Sequence, residues 1–377
     1  MSVKRVTTQS WHSRLGKSLS GVLGGIALFI VSIVLLYWNE GRAVDTALDL
    51  AEGESSVVSL EKIDAIDPST KGELVHLTGP AESGETLRDE AFGIEIHALK
   101  LRRNVEMLQW REHAESKTRT KLGGGTETVT TYTYEKTWSD ALIDSSRFED
   151  PDGYLNPKTK PLDSLDIEAS EIHLGAYRLG PGLVNKLSRF NELSPPPELP
   201  DGHTAEGNVI FRSADPNAPQ IGDLRITYKA AMPEVISVIA RNNDGLLDGY
   251  RARKGSAIQL LEYGEVDAAA MFESAKSANK TLTFGLRILG IILMFVGANS
   301  VMGPITVAAD VLPLLGRITR FGTSLISAII TLPVAFLTIA IAWIVHRPMI
   351  GIGLIIVGGL IGFLLIRFAS KRGAVAA

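Results

Sequence analysis

Seven histidines and 42 carboxylates are the groups from which a catalytic or metal site in this chain would have to be built. His12, His76, His97, His113, His173, His203 and His346 stand apart, and none has the helical or paired spacing that holds a metal ion. A Gly-x-Ser-x-Gly elbow, a phosphate loop, a His-Glu-x-x-His pair and a dinucleotide fingerprint are missing. Asp150, Asp152 and Gly153 start like a calcium loop, but its twelfth position, which needs a bidentate acid, is Pro161. There is no cysteine, hence no disulfide and no thiolate metal site. The expectation is therefore a protein without catalytic, cofactor or metal residues, and not an enzyme.

Cations give a sharper pattern. Lys100, Arg102 and Arg103 stand together in an otherwise acidic stretch, where they are candidates to meet a partner's carboxylates or anionic lipid. The alternative is pairing with acids of the same sheet. Arg317 and Arg320, set among Leu, Ile and Phe, are candidates for contact with a lipid surface, against the alternative of an ordinary solvated connector.

These residues are placed by strongly divided elements. All but one of the 42 acidic residues, Asp310, lie in residues 39–282, beside 27 of the 38 basic ones. An acidic domain of that kind excludes a nucleic-acid partner, which needs a basic footprint. Outside it the chain is apolar and basic. Residues 19–38 form an uncharged run long enough to cross a bilayer, with Lys4, Arg5, Arg14 and Lys17 before it. Its length and the lack of a small-x-small site point to an uncleaved signal anchor. Further spans are expected at 283–302, 323–345 (kinked at Pro333) and 349–366, with Tyr37, Trp38 and Trp343 near span ends. Basic flanks put residues 1–18, the connector 303–322 and the tail 367–377 in the cytoplasm. Residues 39–282 then lie on the other side. Gly21 and Gly25, and Gly358 and Gly362, recur at helical spacing and are candidate helix-packing positions. Asn299 is the one strongly polar uncharged side chain deep in a span, which argues against a transporter or channel while leaving an oligomeric pore open.

The expected fold class is an α+β membrane protein: one N-terminal and three C-terminal transmembrane helices around a large β-rich extracytoplasmic domain. In that domain, residues 94–112 and 127–138 read as a long antiparallel hairpin with its tip at Gly123-Gly124-Gly125. Strands are expected at 57–60, 73–78, 172–177, 209–212, 223–228, 235–241 and 257–261, with a turn at Asn242–Gly245. Helices are expected at 44–54, 182–190 and 266–279.

Several strings are themselves recognisable. Asn39-Glu40-Gly41-Arg42-Ala43 and Leu50-Ala51-Glu52-Gly53 follow the first span. LKLRRNVEMLQW fills 99–110, GDLRI 222–226, VISVIAR 235–241, FGLR 284–287 and HRP 346–348. Together they resemble the LUMA family (transmembrane protein 43) from the first span to the fourth. The resemblance implies a non-enzymatic membrane scaffold that self-associates and organises membrane proteins or lipids. Its animal members look like scaffolds of the endoplasmic reticulum and inner nuclear membrane that bind emerin and lamins. The lack of cysteine, and a lone sequon at Asn279 close to the bilayer, point instead to a bacterial inner-membrane member with a periplasmic domain. The expected partners are thus membrane lipids, further copies of the chain and other membrane proteins, with no cofactor. The alternative function is an oligomeric channel or transporter component.

Overall fold

The computed structural model describes residues 2–347. Five helices are present among them: α1 (Trp11–Ser56), α2 (Pro181–Val184), α3 (Ala268–Val301), α4 (Gly303–Ala309) and α5 (Pro313–His346). The chain divides into two compact units. Of the described residues, one comprises 2–6, 51–117 and 128–274; the other comprises 7–50, 118–127 and 275–347. The expected fourth span at 349–366, with Gly358 and Gly362, lies outside the described residues, as does the tail 367–377.

The first unit is β-rich. In the larger sheet, Lys100–Thr120 is flanked by Thr126–Ser139 and by Leu224–Ala231, which continues to Val209–Arg212 and Thr204–Glu206. In the smaller sheet, Glu234–Asn243 pairs antiparallel with Leu74–Glu82 and with Leu260–Tyr263. Alternating side chains of both sheets, among them Leu77, Leu101, Val105, Ile226 and Val238, form one core. The turn at 242–245 is built as its residues demand. Asp244 and Gly245 take positive φ (51° and 86°), and the Asn242 side chain accepts the Gly245 N–H at 2.8 Å.

Four expected elements differ: 172–177 is a tight hairpin of His173–Leu174 and Tyr177–Leu179, 257–261 divides into Ala257–Ile258 and Leu260–Tyr263, and two others are interrupted. The strand expected at 94–112 is broken at 97–99, because Ile94–Ile96 folds back on Leu87–Asp89 and the Leu99 N–H bonds to Ala231 instead. The helix expected at 182–190 stops at Val184, since the N–H groups of Ser188 and Arg189 turn to the Tyr263 hydroxyl at 2.7 and 2.8 Å.

The second unit is helical. Three helices are long and apolar enough to cross a membrane: α1, α3 and α5. Leu36, Met294 and Ala335 are fully buried where they pack together. Most of their large apolar side chains, such as Leu23, Val34, Phe284, Ile329 and Phe336, face outward, which suits helices solvated by lipid. The span at 19–38 and the helix at 44–54 are one uninterrupted rod, because polar residues 39–42 find their partners on a neighbouring helix. Likewise the helix at 266–279 and the second span are joined in α3. Pro333 is accommodated within α5. The inner stripe of α5 carries the buried hydroxyl residues Thr323, Ser327, Thr331 and Thr338, a pattern the apolar reading of this segment overlooked.

Candidate functional site

Three helices of the second unit meet around one carboxylate. Glu40 on α1 is completely buried. Its oxygens accept two bonds from Arg287 of α3, at 2.6 and 2.7 Å, and a third from the Trp343 indole N–H of α5 at 2.7 Å. The guanidinium also lies 5.6 Å from the centre of the Trp343 ring. A buried carboxylate is tolerated only when paired and fully hydrogen-bonded, and here the two-pronged arginine contact does both.

One residue further, Gly41 packs closely against His346. A Cβ there would lie 2.9 Å from the imidazole of His346. Arg42 then reaches across to α3, donating to the Asn279 side chain at 2.9 Å and the Thr283 hydroxyl at 2.9 Å. Asn39 donates to the Thr283 carbonyl at 3.0 Å, and Asn279 to the Ala43 carbonyl at 3.0 Å. Arg42 Nε and His346 Nε2 are buried without a hydrogen-bond partner among the described residues.

A second polar cluster lies at the start of α1. Arg14 pairs with Asp310 at 2.5 Å, and Arg320 pairs with the same carboxylate at 3.1 Å. Arg14 also donates to the Gly124 carbonyl, the Gly123 N–H to the Val311 carbonyl at 3.1 Å, and the Trp11 indole to the Val307 carbonyl at 2.9 Å. Gly124 has φ +78°, and a Cβ on it would collide with the Trp11 ring. The hairpin tip, 118–127, thus shares a cluster with Arg14 of α1 and with Asp310.

The other candidates are placed as follows. Lys100 pairs with Glu168 at 2.9 Å, and Arg102 with Asp166 at 2.5 Å. Arg103 turns to the core face, where it binds both oxygens of buried Asp89 at 2.8 and 2.7 Å. The Tyr228 hydroxyl donates to the same carboxylate at 2.7 Å; burial first, and Asp89 second, raise its pKa well above the usual tyrosine range. Lys100 and Arg102 are therefore engaged within their own sheet, and Arg103 with the separate two-stranded sheet of Leu87–Asp89 and Ile94–Ile96. Arg317 lines a cavity beside Asp310 and Arg320. Gly25 lies against α3, where a Cβ would come within 2.8 Å of the Gly297 carbonyl, whereas Gly21 faces open space. Asn299 accepts from the Ser324 hydroxyl at 3.4 Å. No group of three or more His, Asp or Glu residues suited to a metal ion occurs among the described residues.

Comparison with known proteins decides the family. The family model for transmembrane protein 43 matches residues 107–348. The human protein of that name is 31% identical over 362 residues, covering 93% of this chain and 90% of its own length. The chain belongs to the transmembrane protein 43 family. The mouse protein is 31% identical over 349 residues, with 89% of this chain and 87% of its own length covered. The Drosophila melanogaster homologue is 30% identical over 347 residues, at 89% and 91%. No solved structure matches. Three of the strings that carried the resemblance to the transmembrane protein 43 family meet in the Glu40 cluster: residues 39–43 on α1, 284–287 on α3, and His346 with Arg347 at the end of α5. In the sequence Trp343 stands out only as a span-end aromatic and His346 as an isolated histidine, while Glu40, Arg42 and Arg287 appear only inside the recognised strings. The signal was available, because Glu40 directly follows an apolar span and Arg287 is a lone charge at the edge of another.

Proposed function

We propose that this transmembrane protein 43 family member is a non-enzymatic membrane scaffold that self-associates and organises membrane proteins or lipids. The observation that carries this reading is continuity. The 46-residue α1 and 34-residue α3 each pass unbroken from an apolar span into polar sequence, and the Glu40–Arg287 pair fastens them together. Such rods suit a part that holds position rather than one that turns over substrate. Residues 349–366 supply a fourth span in this proposal, and the basic flanks place the start of α1 in the cytoplasm. The Glu40 end then lies at the opposite face of the membrane. The missing cysteines favour a bacterial inner membrane.

Cross-linking in native membranes, followed by mass measurement in mild detergent, tests the scaffold reading. The expected result is multiples of the 40.7 kDa chain, or stable copurifying membrane proteins. A strictly monomeric protein without partners contradicts it. The hydroxyl stripe of α5, in which Ser327 Oγ and Thr331 Oγ1 are buried without a partner among the described residues, favours a second reading as a channel component. Ion flux in reconstituted vesicles, lost on Ser327→Val with Thr331→Val, would support that reading; absence of flux counts against it.

A further inference from the structure

Beside the Glu40 cluster, α1, α3 and the end of α5 line an open cavity of about 630 Å³. Its polar lining is strongly one-signed. Lys276, Lys280, Arg287, His346 and Arg347 all contribute to it, and no carboxylate does. Glu40, the nearby acid, is already occupied by Arg287 and Trp343. Arg347 and Arg287 therefore share the one charge of Glu40, Lys280 meets no acid in the cavity wall, and such an excess of positive charge favours an anion. The buried His346 Nε2, without a partner among the described residues, is a further polar atom at this wall.

The α1 wall is apolar. It is made by Ala43, Val44, Ala47 and Leu48 of α1, and Leu48 is half exposed. A ligand that satisfies both walls is anionic at one end and hydrocarbon at the other. The cavity also lies at the ends of apolar helices, beside the indole of Trp343, the level at which lipid headgroups reside.

We propose that this cavity binds the phosphate-bearing headgroup of an anionic phospholipid, with Lys280 and Arg347 meeting the phosphoryl oxygens and the Ala47–Leu48 wall meeting the first acyl carbons. Basic pockets between membrane helices bind such headgroups through charge-assisted hydrogen bonds. The inference rests on the membrane placement proposed above, and it does not depend on self-association.

The test uses the full chain in detergent, with retained lipid counted by native mass spectrometry after exposure to phosphatidylglycerol or phosphatidylcholine vesicles. Inorganic phosphate is the competitor. Phosphatidylglycerol should be retained in preference to phosphatidylcholine and resist millimolar phosphate. Lys280→Gln with Arg347→Gln should weaken its retention roughly tenfold or more. Ala47→Trp, which fills the cavity without removing charge, should do the same with helicity unchanged. Equal retention of both lipids, or wild-type retention by the folded Ala47→Trp protein, overturns the proposal. Full displacement by phosphate would overturn the lipid as the source and leave a free-anion site. A monomer that still retains phosphatidylglycerol would sink the scaffold reading alone.

Discussion

Glu40 and Arg103 are both charged, buried and paired, yet they stand in different surroundings. Glu40 is surrounded by helices that are apolar outside; Arg103 lies against a β core beside Asp89 and Tyr228. Removing one member of a buried pair leaves the other uncompensated. Glu40→Gln and Arg287→Gln should each lower stability in detergent by on the order of 3 kcal/mol, and the double variant by clearly less than the sum. Thermal melts followed by circular dichroism measure this, and simple additivity would show that the pair is not coupled. Arg103→Ala should cost a comparable ~3 kcal/mol, while its half-exposed neighbour Arg102 should cost ~0–1 kcal/mol on the same change. Equal losses would contradict their different burial. The sequence displayed Lys100, Arg102 and Arg103 as one basic group. It could not display that Arg103 sits on the core side of the strand, because the residue that draws it in, Asp89, is fourteen positions away in another strand.

At the scale of elements, periodicity carried the reading far. The two-residue alternation of 99–107 and the glycines at 123–125 marked the long hairpin, and the apolar runs marked α1, α3 and α5. What escaped was continuity and interruption, which depend on distant partners. Residues 39–42 look like a helix end until Asn279, Thr283 and Arg287 satisfy them. Residues 185–190 look helical until Tyr263 takes their N–H groups. Glycine spacing showed the same limit. Gly21 and Gly25 are equivalent in sequence, but only Gly25 meets another backbone, at Gly297. Gly25→Ala should therefore destabilise the helical unit by about 1–3 kcal/mol through overpacking, and Gly21→Ala should be neutral or slightly stabilising, because alanine favours helix. Melting the two variants side by side checks this, and equal effects would rule out the close approach of α1 and α3.

For the whole molecule, the absence of cysteine is an experimental convenience, since any introduced thiol is the only one. The Arg14–Asp310 cluster requires the hairpin tip and the start of α1 to lie on the same side of a membrane. Cysteines replacing Ser10 and Lys121 should thus react together with an impermeant reagent, in sealed vesicles of one orientation. Reaction from opposite sides would separate the tip from α1. The account depends above all on α1 lying in the bilayer with Glu40 at its boundary. Spin labels at single cysteines replacing Leu23, Ile30, Trp38 and Leu48 measure that depth directly. The predicted profile is deepest near Ile30, shallow at Trp38 and water-accessible at Leu48. Labels at all four positions equally accessible to water would contradict it.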